Sequence, residues 1–199
     1  MTDFSNVQKH LEERGFRVSV FATAAEAADY LDGAIDGVSV GFGGSMTLEQ
    51  LGLYDRLSAH NEVHWHWKAA DKAAARSAAQ TADTYISSVN GLAESGEIVN
   101  IDGVGNRLAG TLYGHRKVWL VAGRNKLAPT CEEALHRARN IAGPKNAQRL
   151  GTRTPCAVKG DRCYDCKSPE RICGALLILW EAMKGMETEV VLIDEELGY

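Results

Sequence analysis

The chain has 199 residues, 45% of them hydrophobic and 24% charged, with a net charge of -4 spread over interspersed acids and bases. That length builds one well-cored domain, or one domain with an appendage, and the mixed, slightly acidic balance argues against a nucleic-acid partner and for small-molecule chemistry. The longest apolar run, GALLILW at 174–180, is too short to span a bilayer, and no basic-then-apolar leader opens the sequence; the expectation is a soluble, cytoplasmic protein with no membrane partner.

In chain order, Val7 and Leu11 mark a short amphipathic helix ending at Gly15, and FRVSVF follows as an alternating strand. Thr23 and Glu26 stand at capping-box spacing and open a helix whose apolar face is Ala24, Ala28, Leu31 and Ile35. The strand GVSVGFG comes next, then a helix over 47–59, the strand EVHWHW, an Ala-rich helix over 70–82, the strand TYISS, the strand KVWLVAG and a helix over 130–141. GLAESGEIVNIDGVGNRLAG interrupts the alternation with two extended pieces joined at Ser95-Gly96, a hairpin-like insertion beside the sheet. Beyond Gly143 the chain turns polar. Ser168-Pro169-Glu170 signals a helix through to Gly185, and TEVVLIDEE supplies a last strand. The α/β alternation predicts a three-layer, parallel-rich sheet, with an α/β domain over 1–150 and a cysteine-rich, metal-binding segment over 151–199 packed on it.

Four of the five cysteines, Cys156, Cys163, Cys166 and Cys173, fall in the spacing C-x6-C-x2-C-x6-C. In a reducing compartment such a group points to metal or redox chemistry rather than to disulfides. Thiolates suit both zinc and iron–sulfur clusters, and the spacing matches the standard framework of neither. A cluster is favoured by Cys173, placed in the second turn of the expected helix, and by the surrounding Lys159, Arg162, Lys167 and Arg171. Cys131 reads as a small buried residue.

The other chemical signal is VGFGGSMTLEQLG, which runs from a strand through Gly41, Gly43, Gly44 and Ser45 into an expected helix capped by Thr47 with Gln50 three residues on. Such a loop can cradle an anion or can simply be a tight turn, and it lacks the spacing of a dinucleotide or Walker motif. His64 and His66 share one face of their strand and read as polar packing more than as metal ligands.

GFGGSMTLEQLGL, SSVNGLAESGEIVNIDGVGNRLAG, VAGRNKLAPTCEEALHRARNIAGPKNAQRL and the cysteine run, taken together and in that order, resemble the LUD-domain (lactate utilization) proteins. The resemblance implies a fold like that of the sugar-phosphate isomerase and coenzyme A transferase superfamily. It also implies association with iron–sulfur redox complexes, which adds weight to a [4Fe-4S] cluster over zinc on the four cysteines. The matching positions are Gly43, Gly44, Ser45, Met46 and Thr47; Ser88 and Asn90; Asp102, Gly103, Gly105, Asn106 and Arg107; and Asn125 and Lys126. Where the family commonly has Asn-Ala-Ile-Thr, this chain has Asn90-Gly91-Leu92-Ala93, so the threonine hydroxyl is missing.

Lys126 and Arg107 suit a carboxylate or phosphate, Asn90 and Ser88 could orient it, and Glu94 lies near where related transferases keep a nucleophile, although its Glu-Ser-Gly context suits a solvated turn. Arg137 is expected at the surface. The readings that follow are an enzyme or enzyme subunit, an iron–sulfur oxidoreductase component or cluster-dependent lyase, acting on a small anionic organic molecule; a non-redox isomerase, hydrolase or acyl-transfer enzyme with structural zinc; or a non-catalytic scaffold docking an iron–sulfur partner protein. Homodimerisation is left open.

Overall fold

The computed structural model describes residues 2–199. Helix α1 (Ser5–Glu13) leads to strand β1 (Arg17–Phe21), helix α2 (Ala24–Ala34) and strand β2 (Ser39–Phe42). The Thr23–Glu26 capping box forms in both directions, as its spacing requires. Two short helices, α3 (Met46–Gln50) and α4 (Leu53–Ser58), replace the single helix expected over 47–59, because Gly52 at φ +62 leaves the helical region between them. Strand β3 (Glu62–His64), helix α5 (Lys72–Ala79) and strand β4 (Thr84–Ser88) follow. Next come β5 (Gly91–Ala93), β6 (Ile98–Asp102), α6 (Asn106–Leu112), β7 (Lys117–Gly123), a 3-10 turn at Arg124–Lys126 and the short β8 (Leu127–Ala128). Helix α7 (Cys131–Arg137) continues through a π turn at Ala138–Ala142 into α8 (Gly143–Arg149), and α9 (Pro155–Lys159), β9 (Ala175–Leu179) and β10 (Glu187–Ile193) complete the chain order.

Six strands form one parallel sheet in the order β1-β10-β7-β4-β2-β3. Its alternating residues feed two cores. Trp119, Val121, Val191 and Ile193 pack on one face against α2, α3 and α4, whereas Val118, Leu120, Val190 and Leu192 pack on the other against α1 and the second sheet. That second sheet, in the order β8-β5-β6-β9, contains the hairpin expected from Ser95-Gly96, with Leu92 opposite Ile98. On its outer side Ala93, Val99 and Ala128 meet Ala134 and Ala138 of the α7 layer. The three-layer, parallel-rich α/β architecture read from the sequence is therefore the one adopted.

The segment after Ser168 corrects the sequence reading. No helix runs from 168 to 185. Ser168-Pro169 makes only a turn, closed by the Arg171 amide donating to Ser168 O at 3.1 Å, and ALLIL becomes β9, antiparallel to β6 from Leu179 opposite Ile98 to Ala175 opposite Asp102. A short apolar run suits strand or helix equally, and the free edge of β6 decides the matter by offering its backbone groups for pairing. Cys173 consequently lies in irregular chain with no helix dipole behind it. The last strand, β10, sits in the interior of the large sheet between β1 and β7. Among the described residues no helix is long and apolar enough to cross a membrane.

Candidate functional site

The carboxyl ends of β2, β4, β7 and β10 open onto one edge of the parallel sheet, the usual place for a ligand in such folds. A cavity of about 550 Å3 lies there. Lys126 lines it at 2% exposure, placed by the 3-10 turn that ends β7. No hydrogen bond or ion pair reaches its amine among the described residues. Burial, with the charges of Arg137 and Arg107 adding to it, pushes that amine from its ordinary 10.5 down to about 7.

Arg107 stands in the first turn of α6, an element with no strong signal in the sequence beyond the Asp102-Gly103 turn. Its guanidinium is held by neutral acceptors: Ser88 O at 3.2 Å, Asn100 Oδ1 at 3.1 Å, Asn90 Oδ1 at 2.8 Å and Ile101 O at 2.5 Å. None of these cancels its charge. Gly43 makes the approach possible, since a Cβ there would stand 2.5 Å from Ser87 Oγ and 2.9 Å from Arg107 Cγ. Arg137 is the residue the sequence misplaces. It points inward at 9% exposure and donates to Asn125 O, to Asn90 O at 2.7 Å and to Tyr199 O at 3.1 Å. Its signal was the stretch of helix facing β5, where small Ala134 and Ala138 let the arginine reach in.

The glycine loop also differs in detail from its reading. Ser45, not Thr47, caps α3, accepting from the Leu48 amide at 3.2 Å. Thr47 is buried instead, accepting from Ser88 Oγ at 3.1 Å and donating to Leu197 O at 3.3 Å. The chain after β10 is thus tied over the site, where Leu197 N also reaches Asn125 Oδ1 at 3.1 Å and Gly198 N reaches Gln50 Oε1 at 2.7 Å. Gly44, Ser45, Met46, Thr47, Ser88, Asn90, Asn106, Arg107 and Lys126 all line the cavity. Gly43 and Asn125 lie behind it as supports, and Glu94 does not reach it: Glu94 sits in the β5–β6 turn, its carbonyl accepting from His10 Nδ1 at 2.7 Å.

Other lining residues escaped the sequence reading. Trp67 stacks on Trp65, at 5.2 Å between ring centroids, and receives Arg149 4.5 Å from its own ring. His66 is 8% exposed, and burial, reinforced by Arg76, pushes its imidazole down to about 4, so it is neutral at pH 7. The wall carries Lys68, Lys72, Arg76, Arg107, Lys126 and Arg149 against Glu49 and Asp102. Glu49 is taken by Lys68 at 2.7 Å, and Asp102 accepts from the amides of Gly103, Gly105 and Arg107. The cavity is cationic and suited to an anion.

Cys156, Cys163, Cys166 and Cys173 line a second cavity of about 250 Å3, and no disulfide joins them. Their sulfurs have donors: Arg171 Nε stands 3.1 Å from Cys173 Sγ, Arg139 3.7 Å from Cys163 Sγ, and the Asp165 amide 3.4 Å from the same sulfur. Asp165 takes φ +44 to present that amide, a left-handed conformation costly for a residue with a Cβ. Among the described residues no group of three or more His, Cys, Asp or Glu side chains is placed to hold a metal ion. Ile101, Gly143, Ile172 and Cys173 line both cavities.

A family model for the LUD domain matches residues 5–193. This chain belongs to the LUD-domain family. A DUF162 family protein from Deinococcus radiodurans, a member of the same family, has a similar structure at 12% identity and a TM-score of 0.54, over 97% of this chain and 99% of the other. Among curated protein sequences none matches. In this LUD domain the match spans both the cationic cavity and the cysteine cavity, as far as the end of β10.

Proposed function

We propose that this LUD domain binds a small organic anion, a lactate-like carboxylate or a phosphate, against Lys126, and that its four cysteines carry a [4Fe-4S] cluster for redox chemistry at that site. The observation that carries the reading is the shared wall: Cys173 and its neighbour Ile172 face both the cysteine cavity and the cationic one.

The donor set suits the group. All four cysteines line one cavity, and four thiolates are the ligand set of a [4Fe-4S] cluster as they are of a structural zinc. Arg139, Arg171 and the Asp165 amide donate to the sulfurs and would offset the negative charge of such a centre. When bound, a [4Fe-4S] cluster supplies one-electron transfer. The chain's own residues do the rest. Lys126, titrating near neutrality, meets the anion and can hold or give up a proton at Nζ. Asn90 and Ser88 line the approach, fixed by Arg107 and Thr47. Gly198, Tyr199 and Trp67 wall part of the cavity.

Anaerobic purification followed by iron, sulfide, zinc and visible-spectrum analysis tests the reading. About four irons and four sulfides with a broad band near 400 nm, lost in Cys166→Ala while the α/β core stays folded, is the expected result. One zinc and no colour would make the cysteines a structural staple and remove the redox reading.

A further inference from the structure

The cationic cavity holds two groups of charges. Those acting on Lys126 come from Arg137, Arg107 and Lys145, whereas those acting on His66 come from Arg76, Asp102 and Lys72. Lys126 follows β7 and His66 follows β3, three strands along the sheet order β7-β4-β2-β3, about 14 Å at ~4.8 Å per strand, so the two lie toward different ends of the cavity. The Lys126 end was legible from the strand termini; the His66 end is built by the link from β3 to α5, with Lys72 and Arg76 one helical turn apart on the same face of α5.

Polar atoms at this second end lack partners. Arg76 Nε and His66 Nδ1 are both buried with no hydrogen bond. An unmade bond at a buried polar group destabilises the fold, and more so at a charged one, so these two unpartnered groups carry a stability cost that a ligand can remove. Neither Lys72 nor Arg76 has a carboxylate partner among the described residues, and the nearby Asp102 is already occupied by three backbone amides.

We infer that Lys72, Arg76 and His66 form a phosphoryl-binding subsite, so that the molecule held at Lys126 by its carboxylate carries a phosphate at its other end: a phosphorylated short-chain carboxylic acid. The inference rests on the reading of the Lys126 end as an anion site and extends it. A phosphoryl group, rather than a second carboxylate, fits because it offers three acceptor oxygens and close to two negative charges, matching an ammonium, a guanidinium with a free Nε–H and an imidazole nitrogen. The space agrees: about 550 Å3 lies in the range that encloses much larger ligands than a three-carbon acid.

The test is calorimetric titration of the full chain with L-lactate, 3-phosphoglycerate and inorganic phosphate. The expected result is 3-phosphoglycerate binding at least about ten-fold more tightly than lactate, a difference of ~1.4 kcal/mol, with inorganic phosphate competing against it. The exposed Lys72→Gln change, which poses no threat to folding, should remove part of that advantage, and adding Arg76→Gln should abolish it while lactate affinity stays. Equal affinity for the two acids, no binding of 3-phosphoglycerate, or an advantage that survives both substitutions would overturn the subsite. Lactate binding that is indifferent to Lys126→Met would instead sink the carboxylate site itself, so the two failures are separable.

Discussion

Lys126 weakens the fold it belongs to. Holding a buried amine whose pKa has dropped from 10.5 to about 7 is a statement about stability, because each unit corresponds to ~1.36 kcal/mol between the charged and neutral forms. The sign follows from proton counting. Between pH 7 and 10.5 the unfolded chain keeps the lysine proton that the folded chain has lost, so stability rises with pH across that window and is lowest, by ~5 kcal/mol at most, below it. Replacing the amine with a methyl thioether of similar shape removes the dependence. Lys126→Met should therefore be more stable than the natural chain at pH 6, by ~2 kcal/mol once relaxation around the charge is allowed for, and the gain should shrink toward zero by pH 10. Urea unfolding of both proteins at pH 6, 8 and 10 measures this directly. A variant less stable at pH 6, or a difference that does not change with pH, would show that the amine is paired or hydrated in solution and that the anion site has been misread.

Two further substitutions probe the supports. Gly43→Ala places a methyl against Ser87 Oγ and Arg107 Cγ, which should cost ~1–3 kcal/mol by overpacking and weaken anion binding by shifting Arg107; unchanged calorimetric affinity together with unchanged denaturation midpoint would contradict it. At the opposite end of the sheet Glu189 is 3% exposed and accepts from Lys117, Ser19 and Tyr30, each at 2.7 Å. Glu189→Ala should lower stability by ~3 kcal/mol, since it strips a buried cation of one of its two carboxylates, yet leave lactate and 3-phosphoglycerate affinities alone, as titration of the folded variant can check.

How far the sequence revealed this molecule depends on which forces decided each part. Local rules governed the capping box at Thr23 and the hairpin at Ser95-Gly96, and both are legible because every group involved lies within a few residues. The fate of ALLIL was set by a partner strand some distance away in the chain, and β10 reached the middle of the sheet for reasons of sheet order that periodicity does not encode. The site divides in the same way. Lys126, Asn90, Ser88 and Arg107 stand at strand ends or turns and could be nominated in advance. Arg137 and Arg76 look like ordinary helix-surface arginines in sequence; only the packing of α7 and α5 turns them inward. Cys173 could be grouped with the other three thiols by spacing, but its position on the wall of the cationic cavity required the fold.

The place of β10 bears on how the protein is made. During synthesis β1 emerges early and finds no neighbour, because its partner in the sheet among the described residues is β10, some 170 residues further on. Until residues 187–193 leave the ribosome, β1 and one side of β7 remain open edges, the kind of surface that invites wrong pairing and aggregation. The long sequence separation of that pairing makes its closure slow. The same event draws Leu197 onto Thr47 and Asn125, so a nascent chain gains this wall of its cationic cavity as β10 joins the sheet, and anything that binds there would favour chains that have made the closure over those that have not.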